Sequence, residues 1–265
     1  MINWILQKNL TKPEILQEIK NALSGNDEMW EEIEVIPFSK ELPPLKNPNF
    51  TNIIYGSTTL MINAYHNKDY QSTLFFDVEK FHMKHYVQQW GKDVLNHHGQ
   101  MIKFGKLPKF ESDDLREWFV RPNRDGKEFD GRLDTFERLK SWSQKVCALN
   151  LPELNSETEI WISPPQNIKK EWRLFIVDDN IISTSRYIFK GVLSESAEDI
   201  PKTMIGFANQ RIQEYRIADV YVMDIADVED GFKIIECNCF NGTGFYKHDI
   251  GKIIKAVNAF LRKNK

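Results

Sequence analysis

The sequence predicts a mixed fold in which a small α/β lobe precedes a larger α+β region. Residues 1–75 alternate strand-like and helix-like segments, as α/β units do. Two later stretches each carry a pair of β-branched and aromatic runs around a turn, which predicts two hairpins. Apolar residues at helical spacing predict a closing helix. We therefore divide the chain into an N-terminal lobe with a helical connection, residues 1–110, and a second domain, residues 111–265.

The N-terminal elements follow from local signals. A proline at position 13, shortly after Thr11, is typical of a helix start, and the apolar residues that follow have helical spacing. A further helix is expected to begin near residue 60, after Gly56 and Ser57. The predicted strands here are 2–7, 34–37 and 52–55, and residues 78–95 are a predicted helix.

The second domain begins with cationic segments. Residues 117–122 form a predicted strand that carries Arg121, and the turn-rich residues 123–131 form a loop that carries Lys127. A helix at 135–148 and a strand at 159–162 follow. The two predicted hairpins come next, with strands at 171–177 and 181–188, then at 220–226 and 232–239.

The first hairpin is predicted to place two arginines together. A two-residue loop of Asp179 and Asn180 suits a type I′ turn, and it pairs Asp178 with Ile181. Arg173 then falls opposite Arg186. Opposed cations repel, so a bound anion such as triphosphate or an acyl phosphate would explain the pair. The alternative is that both side chains diverge into solvent.

The second hairpin is predicted to place two carboxylates together. Residues 229–231 fit a three-residue loop with its glycine in the left-handed region, so that Val228 pairs with Phe232. Counting outward along both strands sets Asp224 opposite Glu236 on one face of the sheet.

Opposed carboxylates require compensation, because two like charges about 5 Å apart repel by roughly 3 kcal/mol at an effective dielectric constant near 20. The same register puts Asn238 on that face. The oxygen ligands of Asp224, Glu236 and Asn238 suit Mg²⁺ completed by nucleotide phosphates. The alternative is a surface hairpin whose carboxylates point into water.

Composition and the absence of common motifs argue against several classes of protein. A net charge of -3 over 265 residues supplies no bulk attraction to nucleic acid or anionic membrane. Three cysteines without CxxC spacing argue against a disulfide framework or a zinc site. No signal sequence or membrane span is evident, so we expect a cytoplasmic protein. The chain has no GxxxxGK[ST], GxGxxG, GxSxG or HExxH motif.

The order of these residues resembles the ATP-grasp fold, in which two α+β lobes clasp ATP, and more narrowly its clade named for two arginines and one lysine. The resemblance covers about residues 115–262, and the α/β lobe precedes it as in such proteins. A Glu-x-Asn signature is matched at Glu236 and Asn238, and an upstream acidic residue at Asp224.

The resemblance implies roles for residues in each lobe. Adenine would lie against the predicted strand and linker at Glu159, Trp161 and Ile162. Phosphates would be held by cationic side chains, namely Arg121, Lys127 and Arg173. Catalysis would be carried by Arg173 and Arg186, which stabilise the γ-phosphate or the acyl phosphate, and by Lys127 from the loop over the phosphates. Magnesium would be held by Asp224, Glu236 and Asn238.

The implied function is an ATP- and Mg²⁺-dependent ligase that activates a carboxylate as an acyl phosphate for attack by an amine or another nucleophile. The carboxylate would belong to a small molecule or a peptide. One alternative is a ligase that acts on RNA ends or on a modified macromolecule, for which a basic groove would be the distinguishing feature. Its candidate residues are Lys103, Lys106, Lys109, Arg116, Lys169 and Lys170. Another alternative is a nucleotide-binding module without catalysis.

Overall fold

The computed structural model describes residues 1–25, 28–36, 39–109, 117–126 and 128–264. These residues form a three-stranded parallel sheet, a four-stranded antiparallel sheet and a five-stranded antiparallel sheet. The combination is the predicted one of a small α/β lobe followed by α+β structure. Within these ranges, none of the helices has the length and apolar character needed to cross a bilayer.

The N-terminal lobe is built on a parallel sheet of order β2-β1-β3. Its elements are β1 (Ile2–Gln7), α1 (Pro13–Ser24), β2 (Met29–Ile33), β3 (Thr51–Tyr55) and α2 (Thr58–His66). The predicted strand at 34–37 is wrong over residues 34–36, because the second strand begins five residues earlier and ends at Ile33, and residue 37 lies outside the described residues. Its pairing with β1 runs from Asn3↔Met29 to Gln7↔Ile33, so the partner strand ends where residue 34 would need one.

The predicted helix at 78–95 is also much shorter in the structure. Helix α3 spans Met83–Trp90 and is followed by a 3₁₀ turn at Gly91–Asp93. The backbone N–H of Met83 donates to the carbonyl of Asn123, so the helix start is set by a contact outside the segment. Gly91 ends the helix with φ 49°, a conformation that favours glycine.

After the N-terminal lobe, the described residues form a four-stranded sheet of order β4-β7-β5-β6 with a helix packed against it, and we call this unit the small lobe. Its elements are β4 (Gln100–Lys103), β5 (Glu117–Pro122), β6 (Arg132–Thr135), α4 (Phe136–Leu149) and β7 (Glu159–Ser163). Buried Val120, Leu139 and Ile160 form part of its core. The predicted division after residue 110 falls between β4 and β5, which belong to one sheet, and the division itself stays a prediction.

The large sheet has the order β10-β9-β8-β11-β12. Its elements are β8 (Lys170–Val177), β9 (Asn180–Phe189), β10 (Val192–Ser196), α5 (Lys202–Glu214), β11 (Val220–Val228), β12 (Gly231–Cys239) and α6 (Ile250–Lys263). One face of β11 packs with α5 and α3, and this core includes Met223, Cys237 and Cys239. The other face packs with α6 and α1 through Val220 and Val222. Asp224 follows Val222 on that second face.

The pairing of Asp224 with Glu236 is confirmed, although the loop length and the pairing next to the loop differ from the prediction. Val228 pairs with Gly231, not with Phe232, so the loop has two residues. Gly231 has φ 114°, which favours glycine. A bulge on β12 then inserts one extra residue, Ile235, and restores the predicted register.

The predicted pairing of Arg173 with Arg186 is wrong. The turn of the β8–β9 hairpin is Asp178-Asp179, with φ 48° and 61°, so that Val177 pairs with Asn180. A register shift follows, and Arg173 lies across from Ser185. Arg186 lies across from Trp172, whose side chain packs in the core against α5. The two arginines therefore lie on opposite faces of the sheet.

Candidate functional site

A cleft of about 1120 Å³ lies where the three sheets approach one another. The small lobe contributes residues of β5, β6 and the turn after β5, and the large sheet contributes residues of β8, β9, β11 and β12. The starts of α1 and α2 line the end formed by the N-terminal lobe. Charged side chains from the two antiparallel sheets meet in this cleft, and those used below are Arg121, Glu171, Arg173, Asp224 and Glu236.

Arg173 and Asp224 form a two-point ion pair in the cleft. Nε of Arg173 donates to Oδ1 of Asp224 at 2.8 Å, and Nη2 donates to Oδ2 at 2.6 Å. The side chains are 9% and 1% exposed, so each charge depends on the other for compensation. Burial lowers the pKa of Arg173, whereas the charge and hydrogen bonds of Asp224, together with Tyr246 and Tyr187, raise it, and the pKa is raised overall. The guanidinium is therefore a fixed cation.

Arg121 and Glu236 form a second ion pair, which connects the two antiparallel sheets. Nη2 of Arg121, on β5, donates to Oε2 of Glu236, on β12, at 2.8 Å. Nη1 donates to the carbonyl oxygen of Ile235 at 3.1 Å. Burial lowers the pKa of Arg121, whereas neighbouring Tyr86 and Glu236 raise it above the ordinary arginine value.

Asn238 bridges the two carboxylates. Its Nδ2 donates to Oε1 of Glu236 at 3.1 Å and to Oδ2 of Asp224 at 3.4 Å. The structure therefore brings together the predicted set of Asp224, Glu236 and Asn238. In the described ranges, no three His, Cys, Asp or Glu side chains are arranged to hold a metal ion, and this set has two carboxylates and one amide.

The repulsion between the opposed carboxylates is compensated by arginine. We predicted a cation between Asp224 and Glu236, and Arg173 and Arg121 each neutralise one of them. The sequence indicated both arginines as phosphate ligands but did not indicate that they contact these carboxylates. Those contacts come from neighbouring strands of the fold, which local counting along one hairpin does not reach.

Two tyrosines cover Arg173 on the cleft side, and neither was predicted as a site residue. The rings of Tyr187 and Tyr246 stack with centroids 4.8 Å apart and an interplanar angle of 5°. The Arg173 guanidinium carbon lies 5.6 Å and 4.8 Å from these two centroids. Tyr187 is the extra residue of an irregularity in β9, between the pairs Trp172↔Arg186 and Glu171↔Ile188, which no sequence signal marks.

Glu171 is a third unpredicted site residue. The hydroxyl of Tyr187 donates to its Oε2 at 2.6 Å, and burial raises the pKa of Glu171. Glu171 precedes Arg173 by two residues on β8. Strand alternation therefore puts both on one face, a signal that could have found it.

The structure does not bring Arg186 to this cluster. Its guanidinium lies 3.2 Å from a carboxylate oxygen of Asp199 and 5.1 Å from the ring centroid of Phe189. These contacts belong to the sheet face that carries Trp172, and Arg186 does not line the cleft. The prediction failed because the register that we assigned to the β8–β9 hairpin was wrong.

The residues predicted to contact adenine also lie outside the cleft lining. Glu159 accepts from Asn123 at 2.9 Å, and Nε1 of Trp161 donates to the carbonyl oxygen of Asn96 at 2.7 Å. Ile162 is buried in the small-lobe core. None of the described β7 residues lines the cleft, and the segment that follows β7 contributes Pro165, Gln166 and Ile168 to the lining.

Lys127, predicted as a phosphate ligand and catalytic residue, lies outside the described residues, as does Arg116. Two lysines proposed for a basic groove are neutralised by neighbours. Lys103 pairs with Glu157, and Nζ of Lys170 lies 3.0 Å from Asp199. These two lysines therefore do not form an uncompensated basic surface.

Comparison with known proteins identifies a family and a set of similar folds. Residues 68–257 match the ATP-grasp domain of family 3 within the clade named for two arginines and one lysine. No curated protein shows significant sequence similarity to the chain.

Among solved structures, D-cycloserine synthetase DcsG aligns with a TM-score of 0.66 at 11% identity, covering 99% of each chain. A RimK domain ATP-grasp protein from Sphaerobacter thermophilus aligns with a TM-score of 0.62 at 12% identity, covering 97% of this chain and 99% of that one. D-alanine–D-alanine ligase from Bacillus anthracis, in complex with ATP, aligns with a TM-score of 0.59 at 13% identity, covering 97% and 91%. At such low sequence identity, the TM-scores show that these proteins share the fold of the chain.

Proposed function

The chain belongs to the two-arginine, one-lysine clade of the ATP-grasp superfamily, and on that premise we propose that it is an ATP- and Mg²⁺-dependent ligase. The ligase activates a carboxylate as an acyl phosphate, which an amine or another nucleophile then attacks. The observation that carries the proposal is the cluster of Asp224, Glu236 and Asn238, flanked by Arg173 and Arg121 in the cleft. It combines oxygen ligands for a cation with cations for a phosphate.

The donor set of this cluster fits magnesium. Mg²⁺ binds through one or two carboxylates together with substrate phosphates and water, and the cluster offers two carboxylates and an amide. Rotation of the Asn238 amide about its last bond exchanges nitrogen for oxygen at the position between the carboxylates. Glu236 is the more accessible carboxylate, at 28% side-chain exposure, whereas Asp224 is held on both oxygens by Arg173. Bound magnesium would neutralise the triphosphate and orient it for in-line attack.

Arg173 is suited to stabilise charge that develops on a transferred phosphoryl group. Its carboxylate partner, the two tyrosine rings and a hydrogen bond from Nη1 to the carbonyl of Gly244 at 3.1 Å hold the guanidinium in one orientation. A cation that is already oriented needs no reorganisation when the charge appears. We assign Arg173 to the γ-phosphoryl group, and Arg121 to another phosphate.

We place adenine where the chain passes from β7 to β8, against Gln166 and Ile168. This segment lines the cleft between the two antiparallel sheets. We place the carboxylate substrate beside the starts of α1 and α2, which also line the cleft. A cleft of about 1120 Å³ exceeds the usual range of about 300–1,000 Å³ for a single small-molecule site, which supports two substrates.

The alternatives are separable by experiment. A nucleotide-binding module would bind ATP and release no ADP with any carboxylate and amine. A ligase for RNA ends would need a basic surface, which the neutralised Lys103 and Lys170 do not supply.

The test is calorimetric titration with ATP, in the presence and absence of Mg²⁺. Wild type and Glu236→Gln are compared, with Glu229→Gln as a matched control at the exposed turn of the same hairpin. We expect Mg²⁺-dependent binding in wild type and in the control, and its loss in Glu236→Gln. Binding-competent protein is then assayed for ADP release with mixtures of carboxylic acids and amines. Absence of Mg²⁺-dependent ATP binding by wild type would refute the proposal.

A further inference from the structure

Arg121 makes two contacts across the cleft, and both are to the same short segment of β12. The guanidinium reaches from the small lobe to the Glu236 side chain at 2.8 Å and to the Ile235 main chain at 3.1 Å. The Arg121 side chain is only 12% exposed. The contact therefore replaces most of the water around the guanidinium with these acceptors.

The bulge in β12 makes this contact possible. Ile234 pairs with Ile225 and Glu236 pairs with Asp224, so Ile235 has no partner of its own in the β11–β12 ladder. A bulged residue is left unpaired, and its carbonyl can turn toward a donor elsewhere. In this structure the Ile235 carbonyl accepts from Arg121. The irregularity thus provides a docking point for an arginine from the other lobe.

The carboxylate that Arg121 neutralises is the accessible member of the candidate metal cluster. A cation that takes Oε2 of Glu236 must displace the guanidinium from it, because like charges repel at that distance. An anion that takes the guanidinium, in turn, releases the carboxylate. Each of the two charged groups therefore blocks the site of the other's ligand.

From this arrangement we infer that Arg121 and a divalent cation compete for the Glu236 carboxylate, and that a phosphate group removes this competition by binding Arg121. The inference rests on the proposed function, since it takes nucleotide phosphate as the anion. Its consequence is cooperative binding. The metal binds weakly to the protein alone and tightly once nucleotide holds Arg121. Thermodynamic linkage requires that the metal raise the affinity for nucleotide by the same factor. Arg121 therefore contacts the phosphate directly and affects the metal only through Glu236.

The first test measures Mn²⁺ binding without nucleotide, by the loss of the free-ion electron paramagnetic resonance signal. Arg121→Gln is expected to bind Mn²⁺ about tenfold more tightly than wild type, because a neutral side chain no longer competes for the carboxylate. Arg138→Gln is the matched control, since Arg138 is a small-lobe arginine with 76% side-chain exposure, paired to Asp134 at 3.5 Å outside the cleft. It should bind as wild type does. Adding Glu236→Gln to Arg121→Gln should abolish the tighter Mn²⁺ binding.

Arg121→Lys provides a second variant that keeps the charge. Lysine has a single ammonium group and lacks the planar fork that reaches Glu236 and Ile235 together, so its Mn²⁺ affinity should fall between those of wild type and Arg121→Gln. If Arg121→Gln does not fold, as judged by circular dichroism, the lysine variant alone decides the comparison.

The second test measures ADP binding by calorimetry in EDTA. Glu236→Gln should bind metal-free ADP several-fold more tightly than wild type, because Arg121 is released. The gain should vanish in the double variant with Arg121→Gln. If Glu236→Gln still raised the ADP affinity in the Arg121→Gln background, the gain would reflect general repulsion of the nucleotide by Glu236. That result would refute the proposed competition.

Equal Mn²⁺ affinities of wild type and Arg121→Gln, or an equal rise in Arg138→Gln, would also refute the competition. The Mn²⁺ measurement contains no nucleotide. Failure of the proposed function appears instead as absence of ATP binding by wild type with Mg²⁺, so the two failures are distinguishable.

Discussion

Asp224 and Glu236 face each other across β11 and β12, and each is neutralised by an arginine from a different strand. Asp224 is bound by Arg173 of the neighbouring strand in the same sheet, whereas Glu236 is bound by Arg121 of the small lobe. The first pair is buried within the sheet, and the second joins two sheets across the cleft. Removal of a partner should therefore have different consequences at the two positions.

Asp224→Asn should destabilise the protein by about 3 kcal/mol, because it leaves the buried Arg173 without its charged partner. Urea unfolding at neutral pH measures this change. The matched control is Glu229→Gln, which also replaces a carboxylate by its amide, at an exposed residue of the same hairpin. Its unfolding midpoint should not change. Equal midpoints for wild type and Asp224→Asn would mean that the pair contributes nothing to stability.

Arg173→Lys should lower the affinity for ATP about tenfold in the presence of Mg²⁺, with a smaller effect on ADP. The reason is that lysine cannot form the two-point contact with Asp224, so the cation assigned to the γ-phosphoryl group loses its orientation. Calorimetry with both nucleotides measures the ratio of the ATP affinity to the ADP affinity. Arg186→Lys is the control, since Arg186 lies on the other sheet face, and its ratio should equal that of wild type. If Arg186→Lys changed the ratio and Arg173→Lys did not, our assignment would be wrong.

Ile168→Ala should weaken nucleotide binding, whereas Trp161→Phe should leave it unchanged. Ile168 lines the cleft, but Trp161 is buried and donates to the Asn96 carbonyl. Trp161→Phe should instead cost about 1–3 kcal/mol of stability, because that acceptor is left unsatisfied. ATP titration and urea unfolding of both variants separate the effects. Loss of ATP affinity in a stably folded Trp161→Phe would restore the adenine site predicted from the sequence.

The free energy of unfolding should fall as the pH drops below about 6.5, with His248 as one cause. Burial lowers the pKa of His248 to about 3. Nδ1 is hydrogen-bonded with the Ser183 hydroxyl at 2.8 Å, and Nε2 has no partner among the described residues. The unfolded chain binds a proton near pH 6.5 that the folded chain binds only near pH 3. This group's contribution to stability is therefore lost between these values, by up to about 1.4 kcal/mol per pH unit.

Urea unfolding of wild type and His248→Gln at about pH 4.5 and about pH 6.5 tests this contribution. Glutamine does not titrate, so the variant should lose less stability between the two pH values than wild type does. His66→Gln, at an exposed residue on α2, should retain the wild-type dependence. An unchanged pH dependence in His248→Gln would contradict the assignment.

Local rules were sufficient for the β11–β12 hairpin. Strand alternation from a turn puts Asp224, Glu236 and Asn238 on one face, and the bulge at Ile235 compensated the one-residue error in the loop length. The same counting failed for β8–β9, because the turn lies one residue earlier and two irregularities shift the register. Arg186 was therefore assigned to the wrong face. A one-residue slip reverses the face of every side chain beyond it.

The sequence by itself determined the fold class and the carboxylate–amide cluster, since both depend on periodicity, turn composition or short spacing within one chain segment. The order of motifs along residues 115–262 carried the resemblance to the family. Only the tertiary structure decided which charges meet. Arg121 and Glu236 lie 115 residues apart along the chain, and the contact between them requires the packing of two sheets. The tyrosine cover of Arg173 and the cleft lining at Gln166 and Ile168 have the same origin. Side-chain contacts between separate elements depend on how those elements pack, and no local pattern encodes that packing.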